Sequence, residues 1–355
     1  MIENRNKRIL VAPLNWGLGH STRCIPIIRA LITHGFEPIL ASDGVALALL
    51  KKEFPELIHL ELPSYQVEYA KNGKFFMLKL LWNAPTMLLA ILKERTIIKK
   101  WLEEYQINGI ISDNRLGVYS KLVPSVFITH QLNVLTGSTT KITTALHKNI
   151  IRKYNQCWVP DVDARPNLSG KLGHLKKNLH NVKYIGPLSR FEKKTLPIQY
   201  KLMVILSGPE PQRGLLEEKL ILELQDYTGK ILFVKGKIEA EQTIEVKGHI
   251  TYYNYMNSQQ LENAFNQSCK VLCRSGYTTI MDLAKLEKKA FFIPTPGQFE
   301  QEYLAKKLKR DGLVPYCKQD NFTLNKLSDI HGYSGLKGFN SNVNWKKLFY
   351  LFKRE

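Results

Sequence analysis

Short apolar runs recur along the chain: RILVAP, EPILAS, LIHLEL, GIISD, SVFITH and QCWVP in the first part, then KLMVILS, KILFVK, KVLCRS and AFFIP. The segments between them carry apolar positions at helical spacing. Brief apolar runs alternating with helical patterns are the mark of buried parallel strands joined by crossover helices. The pattern predicts an α/β protein of two doubly wound, Rossmann-like domains facing a central cleft, over residues 1–183 and 201–330. The stretch 184–200, YIGPLSRFEKKTLPIQY, holds two prolines, a glycine and a run of charge without a clear period, and reads as the linker. In the tail, 331–355, Trp345, Leu348, Phe349 and Phe352 fall at helical spacing and predict an amphipathic helix packed on the body.

A length of 355 residues suits two domains. The most apolar run, FFMLKLLWNAPTMLLAIL, is broken by Lys79, Asn83 and Pro85, which excludes a spanning helix there. The N-terminus shows no export signal, so a cytoplasmic location is expected, with a peripheral place on the inner membrane face as its extension. Five cysteines, only Cys269 and Cys273 close in sequence, make neither a disulfide framework nor a zinc site. Net charge is +20 and favours polyanionic surroundings. Residues 71–100 hold seven basic residues and one acid, Glu94, interleaved with Phe75, Phe76, Met77, Leu80, Leu81 and Trp82. That mixture fits a segment lying on an anionic bilayer, and equally an amphipathic helix with a lysine-rich solvent face. No recognition-helix or RNA-binding signature accompanies the charge, so nucleic acid is not an expected partner.

In open parallel sheets, ligands bind beyond the carboxyl ends of the strands. The first such loop, LNWGLGHSTR, has Gly17 and Gly19, which let the backbone approach a ligand, and then His20. A dinucleotide fingerprint would need glycine where Thr22 stands, and no P-loop lysine follows. At a helix start the dipole disfavours imidazolium, so His20 reads as a neutral general base, or as a polar residue closing a turn capped by Ser21 and Thr22. A later loop, CRSGYTTIMD, offers Ser275, Gly276, Thr278 and Thr279 as a pyrophosphate cradle. Asp282 suits ribose hydroxyls or a capping box with Thr279. Gln298, Glu300 and Gln301 face the same crevice. In LSGPEPQRG, Ser207 and Gly208 form a small-residue turn and Arg213 can neutralise a phosphate. Asp113 and His130, just past two strand ends, are candidates to position an acceptor or move a proton, or simply bond local backbone. The DVD of Asp161 and Asp163 reads as a solvated loop.

NWGLGHSTR, the central linker and RSGYTTIMDLAKLEKKAFFIPTPGQFEQEYLAKKL together resemble glycosyltransferases of the GT-B fold. The nearest likeness is to family 28, which includes an N-acetylglucosaminyltransferase of peptidoglycan synthesis. The resemblance implies an inverting transfer from a nucleotide diphosphate sugar, UDP-linked, to a hydroxyl on a lipid-linked or envelope acceptor, with no metal or other cofactor. Carried across by position, it puts His20 by the reaction centre. Ser275, Gly276 and Thr279 hold the diphosphate, Asp282 stands where a longer glutamate binds ribose, and Gln301, with Glu302 beside it, reads the sugar. Arg274 and Met256 complete the donor set. Asn15, Trp16 and Leu18 in the first loop, and SGPEPQRG in place of a second glycine loop, depart from the peptidoglycan enzyme and imply a different acceptor. A sugar-nucleotide epimerase or hydrolase shares the architecture and stays open.

Overall fold

The computed structural model describes residues 6–65, 76–135, 140–175, 179–237, 239–340 and 343–353, with the backbone alone for 76–84. The first sheet is built from β1 (Arg8–Pro13), β2 (Glu37–Ser42), β3 (Ile58–Glu61), β4 (Ile107–Asp113), β5 (Ser125–Ile128), β6 (Gln156–Val159) and β7 (Val182–Tyr184). Its spatial order is β3-β2-β1-β4-β5-β6-β7, every neighbouring pair parallel. Helices α1 (Gly19–Thr33), α2 (Gly44–Glu53), α3 (Phe76–Glu104) and α4 (Thr140–Ile151) make crossovers between these strands. β1 and β4 are apolar nearly throughout because both faces are covered, and Ile9, Leu10, Val11, Ile110 and Ile111 are fully buried.

The second sheet contains β8 (Tyr200–Ile205), β9 (Ile231–Val234), β10 (Ile244–Lys247), β11 (Ile250–Tyr253), β12 (Ser268–Cys273) and β13 (Lys289–Phe292). Its order is β10-β11-β9-β8-β12-β13, parallel except at β10, which pairs antiparallel with β11 across the turn at Gly248. Its helices are α5 (Gln212–Glu223), α6 (Ser258–Asn266), α7 (Tyr277–Lys285) and α8 (Phe299–Arg310). A last helix, α9 (Trp345–Lys353), leaves this domain and docks on the first. Phe349 packs edge-on against Phe36 and tilted against Trp158, and Phe352 occupies space beside Gly109 that a Cβ there would enter at 2.5 Å.

In each sheet the strand order reverses once: between β1 and β4 in the first, between β8 and β12 in the second. These are the switch points at which a doubly wound sheet opens a crevice. α1 leaves the first and α7 the second, and their N-termini meet: the Thr278 hydroxyl donates to the Gly19 carbonyl at 3.3 Å. The approach is close at Gly19, where a Cβ would lie 2.8 Å from Thr278 Oγ1 and force a shift. Tyr277 Oη donates to the Pro160 carbonyl at 2.8 Å, tying the domains again one residue away.

Among the described residues no helix is long and apolar enough to cross a membrane. Of the basic, aromatic segment 71–100, residues 71–75 and the side chains of 76–84 lie outside the described residues. From Pro85 onward α3 leaves Leu88, Leu89 and Leu92 exposed.

Candidate active site between the domains

His20 stands in the first turn of α1, and Asp113 ends β4 on the other side of the first switch point. The fold brings them together, with His20 Nδ1 2.9 Å from Asp113 Oδ1. Arg23, one helical turn beyond His20, shares its face. Its Nε and Nη2 donate to the two oxygens of Asp113, Nη2 also approaches His20 Nδ1 at 2.8 Å, and Nη1 reaches His130 Nδ1 at 3.1 Å. Arg23 and Asp113 are buried, and His20 keeps a small opening to the cleft, 14% of its side chain exposed.

The electrostatics follow from that packing. Burial pushes the Asp113 carboxyl up, but Arg23 and then His20 outweigh it and hold the group well below the usual carboxylate range. His20 is pulled down, chiefly by burial and secondarily by the Arg23 charge, against the opposing pull of Asp113. It is therefore neutral at pH 7 and able to accept a proton, as a base requires. When Nδ1–H is donated to Asp113, Nε2 carries the free lone pair; Arg23 Nη2, directed at the same Nδ1, favours the opposite tautomer.

His130 closes the far side. Arginine only donates, so His130 Nδ1 must accept from Arg23, and the ring proton sits on Nε2, which donates to Glu300 Oε1 at 2.9 Å. Gln131 Nε2 donates to the other Glu300 oxygen. Glu300 belongs to the first turn of α8, so this bond joins the domains. The His130 ring also stacks on Tyr277 of α7 with centroids 4.2 Å apart.

The second switch point holds few charges. α7 begins at Gly276 with no side-chain cap and no acid in its first turn, and α1 begins the same way after Leu18. Two uncapped helix N-termini thus converge, leaving first-turn N–H groups and two positive dipole ends for an anion. Ser275 donates to the Gln301 carbonyl at 2.8 Å. Arg274 is buried and donates to the carbonyls of Gln212, Ile293 and Pro294 and to Gln319 Oε1. Burial pulls its guanidinium down to about 10.

Several expectations are corrected. Arg213 is not poised over the crevice: it is buried, paired with Glu217 on its own helix and with Glu210 just ahead of it, and bonded to the Lys235 carbonyl. Asp282 makes no capping box with Thr279. Its Oδ1 accepts from Ser189 of the linker at 2.6 Å, and burial raises it to about 6 against the pull of Ser189 and Arg190. Glu302 turns back to the Gly297 N–H, so the acid beside Gln301 that faces the cleft is Glu300. Gln301 accepts from the Thr295 N–H and donates to Gln298, which fixes both amides within the loop. Asp161 is not solvated: it is buried and accepts from the backbone of Val162, Leu168 and Ser169.

Gly17, at φ +74°, makes the turn before α1. Ser207 and Gly208 lie exposed beyond β8, and Met256 packs half-buried after β11. Arg23 was missed although its spacing from His20 signals a shared face, and Tyr277 was missed because an aromatic at a helix start reads as core. Among the described residues no group of three or more His, Cys, Asp and Glu side chains is arranged to hold a metal.

Comparison with known proteins agrees with this geometry. The model of the glycosyltransferase family 28 C-terminal domain matches residues 212–330. A UDP-N-acetylglucosamine–N-acetylmuramyl-(pentapeptide) pyrophosphoryl-undecaprenol N-acetylglucosamine transferase of Glaesserella parasuis is 24% identical over 90% of this chain and 88% of its own length. Acinetobacter baumannii MurG superposes with a TM-score of 0.55 at 13% identity, covering 92% of this chain and 91% of its own. The spinosyn rhamnosyltransferase SpnG, complexed with thymidine diphosphate, gives 0.62 at 13% identity over 98% and 95%. Two doubly wound domains with apposed switch points give the chain the GT-B fold of glycosyltransferases, and its second domain is similar to the C-terminal domain of family 28.

Proposed function

We propose that this enzyme moves a sugar from a UDP-linked donor to a hydroxyl of a lipid-linked acceptor, with inversion at the anomeric carbon. The observation that carries the reading is the meeting of the uncapped α1 and α7 N-termini beside the His20–Asp113 pair. The donor diphosphate lies at those N-termini, with Ser275, Gly276 and Thr279 around it, and Glu300 and Gln301 near the sugar. His20 Nε2 takes the acceptor hydroxyl proton as the acceptor oxygen bonds to C1. The C1–phosphate oxygen bond breaks, and its electron pair leaves on the nucleoside diphosphate. Helix N–H groups aimed at that developing charge stabilise it without reorganising. Asp113 stabilises the imidazolium that forms.

An anionic membrane surface as the site of the acceptor is supported by the exposed Leu88, Leu89 and Leu92 on α3, followed by Lys93, Arg95, Lys99 and Lys100. Incubating the purified protein with radiolabelled UDP-N-acetylglucosamine and an undecaprenyl-pyrophosphoryl acceptor in vesicles tests the whole reading. Label in the lipid fraction, lost in His20→Ala, is the expected result. Label released as free sugar at the same rate with and without acceptor overturns it. Calorimetric titration with UDP tests the donor half separately.

A further inference from the structure

We propose that Arg23 is a positioning residue that ties the proton state of His20 to the contact between the two domains. The inference rests on the reading of His20 as the base. Its ground is geometric: one buried guanidinium, 1% exposed, touches Asp113, His20 and His130 at the first switch point and, through the last of these, reaches the second domain. Going along the chain of contacts, Asp113 is held by Nε and Nη2, His20 Nδ1 lies 2.8 Å from Nη2, His130 Nδ1 accepts from Nη1, and His130 Nε2 donates to Glu300 of α8.

Two consequences follow. First, His20 and Arg23 compete for the same carboxylate. Nδ1 cannot both donate to Asp113 and accept from Arg23, so the position of the guanidinium decides which neutral tautomer exists and hence whether Nε2 is a base or a donor. Second, that position is set partly from across the cleft. Glu300 holds His130, and His130 holds Nη1. Withdrawing α8 removes an anion and an anchor from the far end, so the base is fully formed only when the donor domain is in place.

The groups facing His20 are Arg23 on its own helix, Asp113 from β4, His130 after β5 and Glu300 from α8. Removing the cation and removing the distal anion must therefore shift His20 in opposite directions, which a purely structural role would not do.

The test is a heteronuclear NMR titration of the His20 imidazole in the full chain, run beside the pH dependence of sugar transfer. Arg23→Gln is expected to raise the His20 midpoint by about one pH unit or more and to move the acid limb of the rate profile up with it. Glu300→Gln keeps an acceptor for His130 but loses the charge, and is expected to lower the midpoint by a smaller amount. Folded variants whose midpoints stay put, or shift the same way, overturn the proposal. Should Arg23→Gln not fold, Glu300→Gln decides alone: a lowered midpoint supports the coupling and an unmoved one overturns it. If the midpoints shift as expected while the rate profile does not follow, the link from Arg23 to His20 stands and the assignment of His20 as base fails.

Discussion

The two switch points occupy the same place in two similar sheets, yet they are furnished differently. The first, between β1 and β4, concentrates ionisable groups, with His20, Arg23 and Asp113 within hydrogen-bond reach of one another. The second, between β8 and β12, offers hydroxyls and backbone N–H groups, and the buried Arg274 there is held by carbonyls and an amide. One crevice gathers groups that can exchange a proton, and the other gathers neutral donors that suit an anion. Equivalent topology thus supports different chemistry according to which side chains terminate the strands.

Substitutions at the two places should separate accordingly. The largest effect is expected from His20→Ala, which should lower kcat for transfer by about two to four orders of magnitude while UDP affinity by calorimetry is unchanged. In the wild-type enzyme His20 is lowered from 6.5, so transfer should persist as pH falls below 6.5 before failing on the acid side. An acid limb well above that value would mean another base.

Next in size is the seam where the two crevices meet. Gly19→Ala forces a methyl against Thr278 Oγ1, 2.8 Å away, and should cost about tenfold in kcat/KM, the equivalent of mild overpacking. Adding Thr278→Ala removes the obstructing oxygen and should restore most of the loss. Failure of that rescue would mean the two helix N-termini do not approach this closely during turnover.

At the second crevice alone, Ser275→Ala deletes the bond to the Gln301 carbonyl and should weaken UDP binding about fivefold, with kcat nearly intact. The smallest effect concerns stability. Asp282 titrates at about 6 in the folded chain against 3.8 without burial. Its folded form therefore binds the proton more tightly, and the associated stability is present below pH 3.8 and lost as pH rises through about 6. Asp282→Asn removes the loss, so its melting temperature should exceed the wild type's at pH 7.5 by the equivalent of about 1 to 2 kcal/mol, allowing for partial exposure, and converge with it at pH 4.

Much of this arrangement is legible in the sequence. The strand-end positions of Asp113 and His130 follow from apolar runs that stop abruptly at a polar residue, and Gly19–His20 from the turn into α1. Less visible are contacts between elements far apart in the chain. Glu300 meets His130 across a separation of 170 residues, and no local pattern prefers it to Glu302. Arg213 is neutralised locally, by Glu217 four residues on along α5 and by Glu210 just ahead of the helix, a pairing that short-range spacing already offers. The β10–β11 hairpin escaped notice because Ile244 to Lys247 is exposed on both faces and shows no buried run.

The docking of α9 on the first domain has a mechanical consequence. The polypeptide passes to the second domain between β7 and β8 and returns before Trp345, so two tethers span the boundary. Two attachment points restrict how the halves can move relative to one another more than a single linker would. The second domain is then a contiguous piece of chain, whereas the first is completed only by its last helix. Truncation ahead of Trp345 would strip the cover from Phe36 and Trp158 and damage the first domain while leaving the second whole.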